Sequence, residues 1–120
     1  MAQAQSHLTI SEVPNGVTRV VFAVRNILDE SMIHQIGEEI AGLVAVSNNP
    51  KALISFRGVE HLSSTALGML ISIKNKIGAK GGQLRLSDID PKIHEVFRIT
   101  RLDTLFQIHA DEASALKSFR

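Results

Sequence analysis

The stretch Leu53-Ile54-Ser55-Phe56-Arg57-Gly58-Val59-Glu60-His61-Leu62-Ser63-Ser64-Thr65-Ala66-Leu67-Gly68-Met69-Leu70 decides the fold, because its apolar period changes in the middle. Ala52 to Phe56 is a short, nearly continuous apolar run, the pattern of a strand covered on both faces and so central in a sheet. From about Ser64 the apolar residues recur at helical spacing. Ala66, Met69, Leu70, Ile73 and Ile77 form the inner stripe of a helix reaching about Lys80, with Ser72, Asn75, Lys76 and Lys80 on its wet face. Gly81-Gly82 then supplies a left-handed stop.

Working outward, the same alternation of strand and helix periods fills the chain. Leu8, Ile10 and Val13 alternate with polar residues, Pro14-Asn15-Gly16 signals a turn, and Val17 to Val24 reads as a second strand, so a hairpin is expected. Arg25 to Glu30 reads as irregular. Asp29 or Ser31 is placed to cap a helix to about Val44, with Met32, Ile33, Ile36, Ile40, Leu43 and Val44 as its apolar stripe. Ser47-Asn48-Asn49-Pro50 ends it. Beyond the double glycine, Gln83 to Leu86 is a fourth strand. Asp90-Pro91 starts a short helix with Ile93, Val96 and Phe97 inward, because proline at the first helical position loses no needed hydrogen bond. Leu105 to Ile108 reads as an edge strand, and Asp111 opens a last helix with Ala113, Leu116 and Phe119. The expected fold is α/β: one domain over residues 8–120, with a mixed, mostly parallel sheet of about five strands, an opening antiparallel hairpin and about four helices. Residues 1–7 read as a disordered tail.

Composition narrows the function. The 120 residues fit one domain, and 44% apolar content is enough for one core. Thirteen basic against twelve acidic side chains give a net charge of +1, without the basic excess of a nucleic-acid binder. There is no cysteine, which excludes disulfides and thiol catalysis. Met1 to His7 is polar and lacks a signal core, and no apolar run approaches the ~20 residues of a membrane span. A cytoplasmic protein without membrane insertion is the expectation.

The chemistry concentrates at Ser63-Ser64-Thr65, three hydroxyls at the start of a helix. Their plainest role is capping, since Ser and Thr accept hydrogen bonds from the free N–H groups of a first turn. The functional role is phosphorylation. A helix N-terminus tolerates a phosphate dianion, and that dianion repels an acidic or apolar partner surface. Serine catalysis is a poor fit, because no Gly-x-Ser-x-Gly elbow is present. The histidines at 7, 34, 61, 94 and 109 show no metal spacing; His34 and Glu38 sit at i, i+4, where surface pairing is the expected role. Gly78, Gly81 and Gly82 follow a helix instead of preceding one, so they do not cradle a phosphate. No cofactor or metal is expected.

The segment from Leu53 to Leu70 resembles the centre of the STAS domain family, the anti-sigma factor antagonists. That family's pattern is an apolar strand, a Gly-Val turn, then Asp-Ser-Ser/Thr-Gly-Leu-Gly opening a helix. The likeness extends more weakly over residues 8–119, through the hairpin, the double glycine and Ile99-Thr100-Arg101-Leu102-Asp103-Thr104-Leu105-Phe106-Gln107-Ile108. The resemblance implies a phosphorylation-switched, non-enzymatic protein-interaction module. Its partners would be an anti-sigma factor that is also a serine kinase of the histidine-kinase-like ATPase type, captured by the unphosphorylated form, and a phosphatase that resets the switch. The implied phosphoacceptor is Ser64, with Thr65 second. The implied partner face is Ser63, Ser64, Thr65, Gly68 and Ser72, where Gly68 permits close approach of another backbone. Two positions depart from the pattern: Ser63 replaces the aspartate and Ala66 the glycine. The lost carboxylate motivates an alternative, a STAS scaffold without phosphorylation or a small subunit of a lipid-transport complex. A small hydrolase or nucleotide-binding enzyme is a third alternative that only the lone serines and scattered histidines support.

Overall fold

The computed structural model describes residues 7–119. The expected tail lies outside them except for His7, whose carbonyl accepts the Ala23 N–H at 2.8 Å.

The chain opens on β1 (Leu8–Val13) and β2 (Val17–Phe22), paired antiparallel with Val13 opposite Val17. The reversal between them needs two consecutive residues at positive φ, and Asn15 and Gly16 both sit at +73°. That requirement is why the Asn-Gly pair is there. After β2 come β3 (Asn26–Ile27), α1 (Glu30–Ala45), β4 (Lys51–Ser55), β5 (His61–Leu62), α2 (Ser64–Ala79), β6 (Gln83–Ser87), α3 (Pro91–Ile99), β7 (Gln107–His109) and α4 (Glu112–Lys117). The main sheet has five strands in the order β1-β2-β4-β6-β7, parallel except for β1. The expected α/β architecture is the observed one, and the central strand expected at Ala52–Phe56 is β4, Lys51–Ser55.

One face of the sheet carries the larger core. Val20, Phe22, Ala52, Ile54, Leu84 and Leu86 meet Ile33, Ile36 and Ile40 of α1 and Leu70, Ile73 and Ile77 of α2. Phe22, Phe56, Phe97 and Phe106 run through it with ring centroids 5.1, 6.3 and 5.9 Å apart. The other face is covered by the short α4, whose Ala115 packs on Val17 and Leu53. Two arginines pin that helix. Arg19 pairs with Glu112 through Nε–Oε1 at 2.5 Å and Nη2–Oε2 at 3.0 Å, and Arg85 Nε donates to Ser118 Oγ at 2.8 Å with its guanidinium over the Phe119 ring.

Several expectations need correction. The second strand stops at Phe22; Asn26–Ile27, read as irregular, pairs in parallel with His61–Leu62, read as a connector. Val96 points outward, because Ile93 and Phe97 at i, i+4 already make the inner stripe of α3. The edge strand begins only at Gln107, after a 3-10 turn at Leu102–Thr104 that leaves Leu105 exposed. In α4 the buried residue is Ala115, with Ala113 exposed. Lys80 is not a wet-face residue. Its ammonium donates to the carbonyls of Val44, Ala45 and Ser47 at 3.0, 2.7 and 2.7 Å, closing the C-terminal end of α1. Asp29, not Ser31, caps α1, with its carboxylate accepting the Met32 N–H at 2.8 Å.

Candidate functional site

The first turn of α2 is presented by the β3–β5 pair. Ile27 stands opposite Leu62, and the Ser63 N–H donates to the Ile27 carbonyl at 3.1 Å. The loop before it is held by Glu60 N–H on the Arg25 carbonyl at 2.7 Å, by the Arg25–Glu60 ion pair at 3.5 Å, and by His61 Nδ1 against Asn26 Oδ1 at 2.7 Å. These bonds fix where the helix begins. His61, the histidine nearest the serines in sequence, is thereby held on Asn26.

Ser63 adopts extended backbone (φ −87°, ψ 166°) and its Oγ accepts the Ala66 N–H at 3.1 Å, the geometry of an N-cap. Ser63 thus performs the capping that an aspartate would perform at this position. Ser64 and Thr65 occupy the first helical positions and are exposed. Backbone N–H groups at these positions have no intrahelical acceptor, and the helix places partial positive charge there. Lys76, the basic residue of the last turn, lies far down the same helix.

The other expected site residues fall on the same helix. Ser64, Gly68 and Ser72 follow at i, i+4 and i+8 and are all exposed. A Cβ on Gly68 would meet nothing within 4 Å, so internal packing does not require the glycine. Thr65 and Ser72 line one wall of a groove between α2 and α1, which Ser64 does not line. Sequence reasoning missed this groove and missed Leu28, a half-exposed side chain directly after the β3 residue that holds Ser63. The one signal for Leu28 was a large apolar residue in a stretch without period.

His34 and Glu38 are paired at 3.5 Å on the exposed side of α1, as their spacing predicts. Among the described residues no group of three His, Asp or Glu side chains is disposed to hold a metal ion. No helix among them is long and apolar enough to cross a membrane.

The chain is 25% identical over 64 residues, 53% of its length, to the anti-sigma F factor antagonist of Paenibacillus polymyxa. The chain spans about half the length of the curated relatives it matches, 55% of each. Its fold superposes on an anti-sigma-factor antagonist domain from Planctomyces limnophilus with a TM-score of 0.83, 22% identity, and coverage of 92% of this chain and 96% of that one. It also superposes on the phosphorylated form of the Bacillus cell fate determinant SpoIIAA with a TM-score of 0.69, 16% identity, and coverage of 92% and 96%. These two likenesses concern the fold. The STAS domain family model matches residues 9–115, nearly the whole described chain, and the protein belongs to the STAS domain family.

Proposed function

We propose that this chain is a phosphorylation-switched protein-interaction module that acts in transcription regulation as an anti-sigma factor antagonist. Unphosphorylated, it captures an anti-sigma factor serine kinase of the histidine-kinase-like ATPase type, which releases the sigma factor. Phosphorylation of Ser64 ends the capture and a phosphatase restores it. The chain itself carries no catalysis, needs no cofactor, and works in the cytoplasm without binding nucleic acid or inserting in a membrane. The observation that supports this reading best is the division of labour in the first turn of α2. Ser63 is occupied as the cap, which leaves the Ser64 hydroxyl exposed and free of a structural duty. A phosphate there adds roughly two negative charges to the N-terminal end of an otherwise uncharged face of Ser64, Thr65, Gly68 and Ser72. Thr65 is the second acceptor.

Ser63 in place of the family aspartate favours a second reading, in which the domain is a constant scaffold or a small subunit of a lipid-transport complex. The two separate in one experiment. The chain is incubated with a histidine-kinase-like serine kinase from the same genome and ATP, and the products are mapped by mass spectrometry. Phosphate on Ser64 is the expected result. No phosphate on Ser64 or Thr65, together with recovery of a transporter ATPase in a pull-down, overturns the switch in favour of the scaffold.

A further inference from the structure

We infer that the groove between α1 and α2 is a docking site for an amphipathic helix of the partner protein that carries basic side chains along one flank. The inference rests on the reading of α2 as a docking surface and extends it beyond the first turn. The groove measures about 690 Å³ and runs along both helices from the Glu30–Thr65 end towards Ala41 and Lys76. Its floor is apolar, made by Ile33 and Ile73, which are buried, and by Met69, which is half-buried. Gly37 faces Met69 across the helix pair: a Cβ on Gly37 would lie 3.0 Å from Met69 Cγ. A side chain at position 37 would press on Met69, a floor residue of the groove, and make it shift by a few tenths of an ångström.

The walls differ in charge. Glu30 and Glu38 stand on the α1 wall, with His34 between them, while the α2 wall offers Thr65, Ser72 and, at the far end, Lys76. The Glu38 side chain is 71% exposed and its one partner among the described residues is His34 at 3.5 Å, so the carboxylate is open to an incoming cation. Glu30 and Glu38 are eight residues apart, about 12 Å along a helix at 1.5 Å per residue. A helix lying in the groove with Lys or Arg at the same spacing on one flank meets both carboxylates while its apolar face covers Ile33, Met69 and Ile73. This is the helix-in-groove mode, in which apolar anchors give affinity and flanking charge sets orientation.

The test uses the full chain, labelled with nitrogen-15, and two synthetic helical peptides. Both carry leucines on one face; one has two lysines eight residues apart on a flank, the other two glutamates at those positions. The lysine peptide is expected to bind at least tenfold more tightly and to shift amide resonances along the groove. A Glu30→Lys/Glu38→Lys variant is expected to reverse the preference, and Glu38→Lys alone to reduce it should the double variant misfold. Thr65→Lys, which sets a cation beside Glu30 at the groove mouth, is expected to weaken the lysine peptide at least threefold. Equal affinity for the two peptides, no binding, shifts away from α1 and α2, or an unchanged preference in the folded charge-reversal variants overturns the groove. Kinase capture measured on the same variants and on Ser64→Asp keeps the two readings apart. If Ser64→Asp abolishes capture and charge reversal does not, the groove fails and the switch stands.

Discussion

The Ser63 hydroxyl oxygen accepts the Ala66 N–H at 3.1 Å, so the residue before Ser64 closes the first turn of α2 and Ser64 is spared that task. Everything proposed for the site depends on this relationship. The capping hydroxyl is turned to the helix's own backbone, whereas the Ser64 side chain beside it is exposed.

The cap predicts a stability difference. Ser63→Ala leaves an N–H of the first turn without its acceptor and should cost about 1 kcal/mol. Ser63→Asp keeps the acceptor and adds a negative charge at the positive end of the helix, so it should equal or exceed the native stability. Urea unfolding of the three proteins checks the order. An alanine variant as stable as the native chain contradicts the capping role.

The two glycines near α2 should behave oppositely. A Cβ on Gly82 would lie 2.2 Å from the Pro50 carbonyl oxygen and 2.9 Å from Ile77 Cγ2, so Gly82→Ala forces the β4–β6 junction apart and should cost roughly 1–3 kcal/mol or more. Gly68 is open, and Gly68→Ala should stabilise by up to about 1 kcal/mol through helix propensity alone. A bulky Gly68→Leu should keep the fold yet weaken kinase capture at least tenfold, which titration of the folded variant reads directly.

The Lys80 ammonium should act as a structural clamp between α2 and the end of α1. Lys80→Met keeps the stem and removes the charge-assisted bonds to Val44, Ala45 and Ser47, so a loss of about 1–3 kcal/mol is expected. Amide exchange should rise in the last turn of α1. A loss without local exchange would place the lysine's contribution elsewhere.

The Arg19–Glu112 pair should make stability fall on acidification. The hydrogen bond from Arg19 holds the Glu112 carboxyl below its ordinary value of 4.5. In the unfolded chain the group takes up its proton at the higher pH. The pair's contribution is therefore fully present above about pH 4.5 and is lost as pH falls through the folded value. Glu112→Gln should lower the urea midpoint at about pH 7 and lose that difference at strongly acid pH. A constant difference across the range would contradict the linkage.

Much of this was legible from residue order. Ala52 to Phe56 announces a central strand because it is apolar on both faces, and it lies between β2 and β6. Asn15-Gly16 announces the hairpin because both residues must reach positive φ. The β3–β5 pair was not legible: two residues on each side give no period, and their pairing spans 35 positions from Asn26 to His61. The role of Lys80 was hidden for a similar reason. A lysine at a helix end reads as solvated unless the neighbouring helix is known to end beside it. In α3, Val96 fits the helical pattern as well as Phe97 does, and only the packing of Phe97 between Phe56 and Phe106 separates them. The acceptor cluster was legible as a cap; which hydroxyl caps was decided by three-dimensional geometry.

The most direct measurement is a calorimetric titration of a histidine-kinase-like serine kinase from the same genome with two forms of this chain, unphosphorylated and phosphorylated at Ser64. The account predicts capture by the unphosphorylated form and at least a hundredfold weaker binding by the phosphorylated one, about 2.7 kcal/mol. Equal affinities for the two forms would contradict it.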